Sequence, residues 1–254
     1  MHQFNADRDS VINAAIDAGI ERILILGIDI LTSQQAIDLC EKYPGYLFAA
    51  IGVHPNSNGV WSSNVLDQLH SLAKSKFVIA IGEIGLDYHR SKIPIDFQKK
   101  MLISQLALAQ ELHLPVCIHN RNSDKDLMEI LKEWLFRSQG NNAIDQKVVG
   151  VLHSFSGNID LSSFAIESGF YLGISGTITF QNNHNLIDII NTVSLDKLIV
   201  ETDSPYLTPT PFRGKRNQPS FIKLIVDKLS QIFNLSTEAI GIRTTNNAKD
   251  LFRW

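Results

Sequence analysis

Short apolar runs alternate with amphipathic helical stretches along the chain, and that rhythm restricts the fold more than any other feature. The runs are Ile23 to Ile28, Leu47 to Val53, Phe77 to Glu83, Pro115 to His119, Val148 to His153, Tyr171 to Ser175 and Leu198 to Asp203. Helical stretches fall between them. Asp7 to Ala18 is closed by Gly19, Phe97 to Leu112 runs through QLALAQEL, and Leu161 to Ser168 is closed by Gly169. Strand, helix and strand in succession describe parallel βαβ units. Several of the apolar runs meet a polar residue at their C-terminal ends: His54, Glu83, His119, His153 and Asp203.

An open doubly wound sheet shows the same alternation, but it places its ligand at one switch point, commonly beneath a glycine-rich phosphate loop. No such loop follows an early strand here. A closed barrel aims every strand end at one mouth, so polar residues after successive strands fit it better. The expected fold is an α/β TIM-type (β/α)8 barrel whose first strand is missing from this chain, because only seven strand candidates are present. Residues 1–254 are expected to form a single domain. The segments Asn56 to Asn64 and Ser138 to Gln146 are expected as surface loops.

Composition excludes several classes of protein. No apolar run reaches the length of a membrane span, and the N-terminal MHQFNADRDSV lacks a basic n-region with an apolar stretch behind it. A cytoplasmic location, with no membrane partner and no obligate protein partner, is expected. The two cysteines, Cys40 and Cys117, fall in a helical stretch and an apolar strand and read as buried, reduced thiols. A net charge of −3 argues against coating nucleic acid by bulk electrostatics, although it leaves room for a nuclease.

Two histidines and two carboxylates hold equivalent places at strand ends. Glu83 follows FVIAIG, where a partly buried carboxylate needs a cation or several hydrogen bonds. His119 ends PVCIH, His153 ends VVGVLH, and Asp203 follows LIVET. Independent core histidines have no reason to keep this register. Glu, His, His and Asp together form a nitrogen and oxygen donor set that suits a divalent metal. His54 in IGVHP and Arg213 in PFRGKRN add polar groups near the same face, where arginine suits phosphate through its two-pronged geometry. His2, His70, His89, His113 and His184 read as surface or structural residues.

Taken together, the segments IGVHP, GEIGLDYHR, LPVCIHNR, HSFSGN, GISGTITF and ETDSPYLTP, followed by RGKRNQP, resemble the TatD family of metal-dependent deoxyribonucleases over nearly the whole chain. The resemblance implies that Glu83, His119, His153 and Asp203 are metal ligands, with Glu83 bridging two divalent ions that could be Mg, Mn or Zn. It implies catalytic roles for Glu83 and for Asp203, which orients or deprotonates the attacking water. His54 and Arg213, with Arg121, would face the substrate phosphate. The implied reaction is hydrolysis of phosphodiester bonds in DNA by metal-activated water, as an exonuclease. The alternatives are a related barrel hydrolase acting on an ester or amide, such as an aminoacyl-tRNA deacylase, and a non-catalytic degenerate barrel.

The chain departs from the family pattern at one place. Family members begin with a strand ending in a His-x-His pair, two ligands of the first metal, and only then reach a stretch resembling Phe4 to Ile12. No His-x-His occurs in this sequence. The absent strand is expected before Met1. Without it, two metal sites are expected to reduce to one weaker site, and two strands keep unpaired edges.

Overall fold

The computed structural model describes residues 2–57, 61, 63–138 and 149–254. Among these, seven strands form one parallel sheet in the order of the chain: β1 Ile23–Leu26, β2 Leu47–Ile51, β3 Val78–Asp87, β4 Val116–Arg121, β5 Gly150–Leu152, β6 Tyr171–Ile174 and β7 Leu198–Val200. The connecting helices are α1 Arg8–Asp17, α2 Ile30–Lys42, α3 Ser63–Leu72, α4 Ile95–Leu112, α5 Asp124–Ser138, α6 Ile159–Glu167 and α7 His184–Thr192. Two more, α8 Ile222–Phe233 and α9 Thr237–Phe252, follow β7. Each strand pairs only with its neighbours in sequence, as right-handed βαβ crossovers produce in a barrel. The sheet curls but its ends do not pair: β1 and β7 both line a cavity of about 890 Å³ that lies between them. This curled parallel sheet covered by helices has the strand order of a TIM-type barrel, the expected fold class.

Two apolar layers follow from the alternation along the strands. Residues on the outer face, among them Leu47, Ile51, Ile81, Ile118, Leu152, Leu172 and Leu198, are buried against the helices. Burying each of these side chains contributes about 1.5–3 kcal/mol. The inner face carries several smaller residues, Ala50, Ala80, Cys117 and Val151, together with Ile199. Small side chains suit the narrow interior of a curled sheet. The end of α9 closes this inner layer: Leu251 and Phe252 are buried in it, and the Trp254 ring lies 5.1 Å from that of Phe48 and 5.3 Å from that of Phe252. Cys40 and Cys117 are free and buried, as expected, and burial pushes each thiol up to about 12.

The strands differ from their sequence expectation mainly at their ends. Glu83 and His119 do not end their strands, because the pairs Gly85↔His119, Leu86↔Asn120 and Asp87↔Arg121 continue the β3–β4 ladder beyond them. Gly85 makes this extension feasible. With φ at +146°, its backbone passes so close to β4 that a Cβ would sit 1.9 Å from the His119 carbonyl oxygen. Conversely β7 stops at Val200, and Glu201 to Asp203 lie in the loop that follows. Of the expected loops, Asn64 belongs instead to α3 and Ser138 to α5, while residues 58–60, 62 and 139–146 lie outside the described residues. No helix among the described residues is long and apolar enough to cross a membrane.

Candidate active site

A buried carboxylate organises the mouth of the sheet. Along β3 the register with β4 shifts between Ile81 and Ile84, which takes Gly82 and Glu83 out of regular pairing, and the Glu83 amide donates to the Gly27 carbonyl beyond β1. The Glu83 side chain thereby meets imidazoles from three other segments. Its Oε1 lies 3.0 Å from His119 Nδ1 on β4, 3.2 Å from His54 Nε2 after β2, and 3.7 Å from His153 Nε2 just beyond β5. Asp203, in the loop after β7, places Oδ1 3.6 Å from the same His153 nitrogen. Its φ of +54° lies in the left-handed region, which aspartate tolerates better than most residues. The Asp203 side chain is 27% exposed against 11% for Glu83, so it stands nearer to entering water.

Two carboxylates to which residue types alone assign no role hold the histidines from behind. Glu201 Oε1 lies 2.9 Å from His153 Nδ1 and accepts the Ser154 amide at 2.7 Å, so the ring turns Nε2 toward Glu83 and Asp203. Asp87 Oδ2 lies 3.2 Å from His119 Nε2, and its carboxylate also accepts amides from His89 and Arg90 and the Asn56 side-chain amide. These are the carboxylate–histidine arrangements that orient rings at metal centres. Gly173 leaves room for this carboxylate: a Cβ there would sit 2.5 Å from Glu201 Oε2.

Charge in this cluster is strongly coupled. Burial alone would raise the Glu83 carboxyl, but the His153 charge and the hydrogen bonds from His119 and His54 outweigh it and hold the group well below the usual carboxylate range. For His153 burial acts downward, and the Glu201 and Glu83 charges raise it well above an ordinary imidazole. His119 is likewise lowered by burial and raised further by its bonds to Asp87 and Glu83. Asp87 is held low despite burial by His119, backbone amides and Asn56.

The donor set fits a divalent cation. His54, Glu83 and His119 each offer a ligand atom, and all three atoms lie within 4.8 Å of one another. Asp87 accepts from His119 Nε2, which leaves Nδ1, 3.0 Å from Glu83 Oε1, as the nitrogen that can offer a lone pair to a cation. Two lone pairs at that distance repel unless a second ring proton or a metal ion lies between them. His153 Nε2 and Asp203 complete a rim of nitrogen and oxygen donors of the kind that binds Zn, Mn or Mg.

The three proposed substrate-facing residues divide. His54 joins the cluster. Arg121 is half-buried at the end of β4, in register with Asp87, and among the described residues no hydrogen bond or ion pair ties its guanidinium to the cluster. Arg213 stands exposed on the loop after β7, with its guanidinium 3.7 Å over the Phe180 ring and one hydrogen bond to the Thr208 carbonyl. The neighbouring Arg216 is committed elsewhere. It pairs with Asp7 and stacks 4.6 Å over Phe4, fastening the N-terminal segment to this loop.

The same order of segments appears in a known family, whose model, TatD related DNase, matches residues 1–253. The chain belongs to the TatD-related DNase family. Among its relatives, a protein named uncharacterized metal-dependent hydrolase YabD from Bacillus subtilis (strain 168) is 38% identical over 251 residues, covering 99% of this chain and 94% of the relative. A protein named 3′-5′ ssDNA/RNA exonuclease TatD from Pantoea sp. (strain At-9b) is 35% identical over 257 residues, covering 99% and 95%. The crystal structure of YjjV, a TatD homolog from Escherichia coli K12, superposes with a TM-score of 0.89 at 28% identity, covering 99% of this chain and 93% of that one. This TatD-family chain is a metal-dependent hydrolase that acts on phosphodiester bonds.

Within it, Glu201 should act through His153. Glu201→Gln is expected to lower metal affinity roughly 10- to 100-fold, the usual cost of losing a carboxylate behind a ligating histidine. Calorimetric titration with zinc, accompanied by a melting curve to show an intact fold, measures it; unchanged affinity would contradict the assignment.

Proposed function

We propose that this chain hydrolyses DNA as an exonuclease, taking single strands and removing nucleotides from the 3′ end with the help of divalent metal ions in the cytoplasm. The observation that carries this reading is the convergence of Glu83, His119, His153 and Asp203 on one mouth, with Arg213 exposed on the same loop after β7 that carries Asp203. The relatives named for 3′-5′ ssDNA/RNA exonuclease activity support the choice of substrate and polarity.

Glu83, His119, His153 and Asp203 would hold the metal. When bound, a divalent ion lowers the pKa of an attacking water and offsets the charge on the phosphate. Glu83 remains ionised and keeps its anionic oxygens toward the imidazoles. Glu201 and Asp87 fix the ring planes of His153 and His119, so neither ring needs to reorganise. Asp203, the more open carboxylate, receives the proton of the attacking water at Oδ1 or Oδ2. Arg213, exposed and steadied on Phe180 and the Thr208 carbonyl, grips a phosphate of the incoming strand. Gly214 has φ at +82°, and a Cβ there would meet nothing within 4 Å, so the backbone beside Arg213 stays open to that strand.

The test is a 5′-labelled single-stranded DNA oligonucleotide incubated with protein and Mg²⁺ or Mn²⁺. A ladder shortening from the 3′ end, abolished by EDTA, is the expected result. Intact DNA alongside hydrolysis of a carboxylic ester or an aminoacyl-tRNA would replace this reading with that of a related barrel hydrolase.

A further inference from the structure

Hydrogen bonds around the mouth close into a ring. His54 Nε2 meets Glu83 Oε1 at 3.2 Å, Glu83 Oε1 meets His119 Nδ1 at 3.0 Å, and His119 Nε2 meets Asp87 Oδ2 at 3.2 Å. Asn56 completes it, donating from its side-chain amide to Asp87 Oδ2 at 2.8 Å and from its backbone amide to His54 Nδ1 at 3.0 Å. The two histidines flanking Glu83 therefore look equivalent by distance. Donor and acceptor accounting separates them.

A backbone N–H can only donate, so His54 Nδ1 is an acceptor, and the neutral ring carries its one proton on Nε2. That proton points at Glu83. A ring nitrogen bearing a proton has no lone pair to give a cation. At His119 carboxylates face both nitrogens: the Asp87 carboxylate, already accepting from amides of His89, Arg90 and Asn56, accepts from Nε2–H, so Nδ1 can give up its proton and offer a lone pair to a cation.

We propose that His54, although its Nε2 lies in the tightest group of candidate ligands, is not a metal ligand but a positioning residue: its Nε2–H orients the Glu83 carboxylate, and Asn56 holds its tautomer. This rests on reading Glu83 as the carboxylate of the metal centre. It divides that mouth into a ligand side, His119 and His153, and a donor side, His54. The contact of Asn56 with His54 is local, between residues two apart, so the tautomer is set before any ion arrives.

Long-range proton–nitrogen NMR spectra of the ¹⁵N-labelled protein, recorded without metal and with zinc chloride, test the proposal. His54 is expected to show a protonated Nε2 and an acceptor-type Nδ1, and zinc is expected to move the ring nitrogens of His119 and His153 and leave the His54 pattern in place. A protonated Nδ1, or a coordination shift at His54 Nε2, overturns it. Variants give an independent reading. His54→Gln, whose amide can still donate to Glu83, should keep the parental zinc affinity and turnover, whereas His54→Ala should lose roughly 10- to 100-fold in zinc affinity or nuclease turnover. Weakened zinc binding in both variants would make His54 a ligand. If the parent cleaves no DNA, the proposed reaction fails, while the spectra and zinc affinities still decide the place of His54.

Discussion

Glu83→Gln is expected to abolish metal-dependent hydrolysis, with turnover falling by about three orders of magnitude, equivalent to about 4 kcal/mol of transition-state stabilisation. Glutamine keeps the shape and removes the charge around which three imidazoles gather. Zinc affinity should fall with turnover, since the anion that makes the His119 and His153 lone pairs useful to a cation is gone. The proton inventory should shift as well. Glu83 is one of the charges that raise both imidazoles, so in the metal-free variant His119 and His153 should titrate at lower pH than in the parent. Turnover, calorimetry and histidine titration curves measure the three effects. A variant with parental zinc affinity would remove Glu83 from the metal centre.

Asp203→Asn is expected to separate binding from chemistry. The side chain sits at the more open edge, with one oxygen 3.6 Å from His153 Nε2, while Glu83, His119 and Asp87 keep their mutual contacts without it. Loss of a positioned proton acceptor costs about 10²- to 10⁴-fold in rate. The expected signature is a kcat loss of that order with KM little changed. A variant that raises KM and spares kcat would reassign Asp203 to substrate binding.

The fold was legible because parallel strands covered by helices leave nearly continuous apolar runs, and all seven runs became strands of one sheet. Their ends were less legible. Nothing in GEIGLD shows that pairing continues to Asp87, because that depends on how closely β4 approaches Gly85. Glu83, His119, His153 and Asp203 could be picked out because each follows or interrupts an apolar run. Glu201 and Asp87 stood in view in the same motifs, yet their work is done on rings far along the chain, at 2.9 and 3.2 Å, and residue types alone carry no such distances. The pairing of Arg216 with Asp7 was hidden for the same reason, and it changes the reading of RGKRNQP. Only Arg213 of its two arginines is left to meet a phosphate.

The plug formed by Leu251, Phe252 and Trp254 bears on the order in which the molecule can mature. As the chain leaves the ribosome, each strand can gather its covering helices in turn, and the outer layer can grow from one end. The inner layer cannot. Ala50, Cys117, Val151 and Ile199 face one another over a space whose floor is supplied by Leu251, Phe252 and Trp254. Until α9 has been made the inside of the sheet lacks its apolar cover, and the end of that helix seals the layer that the strands began.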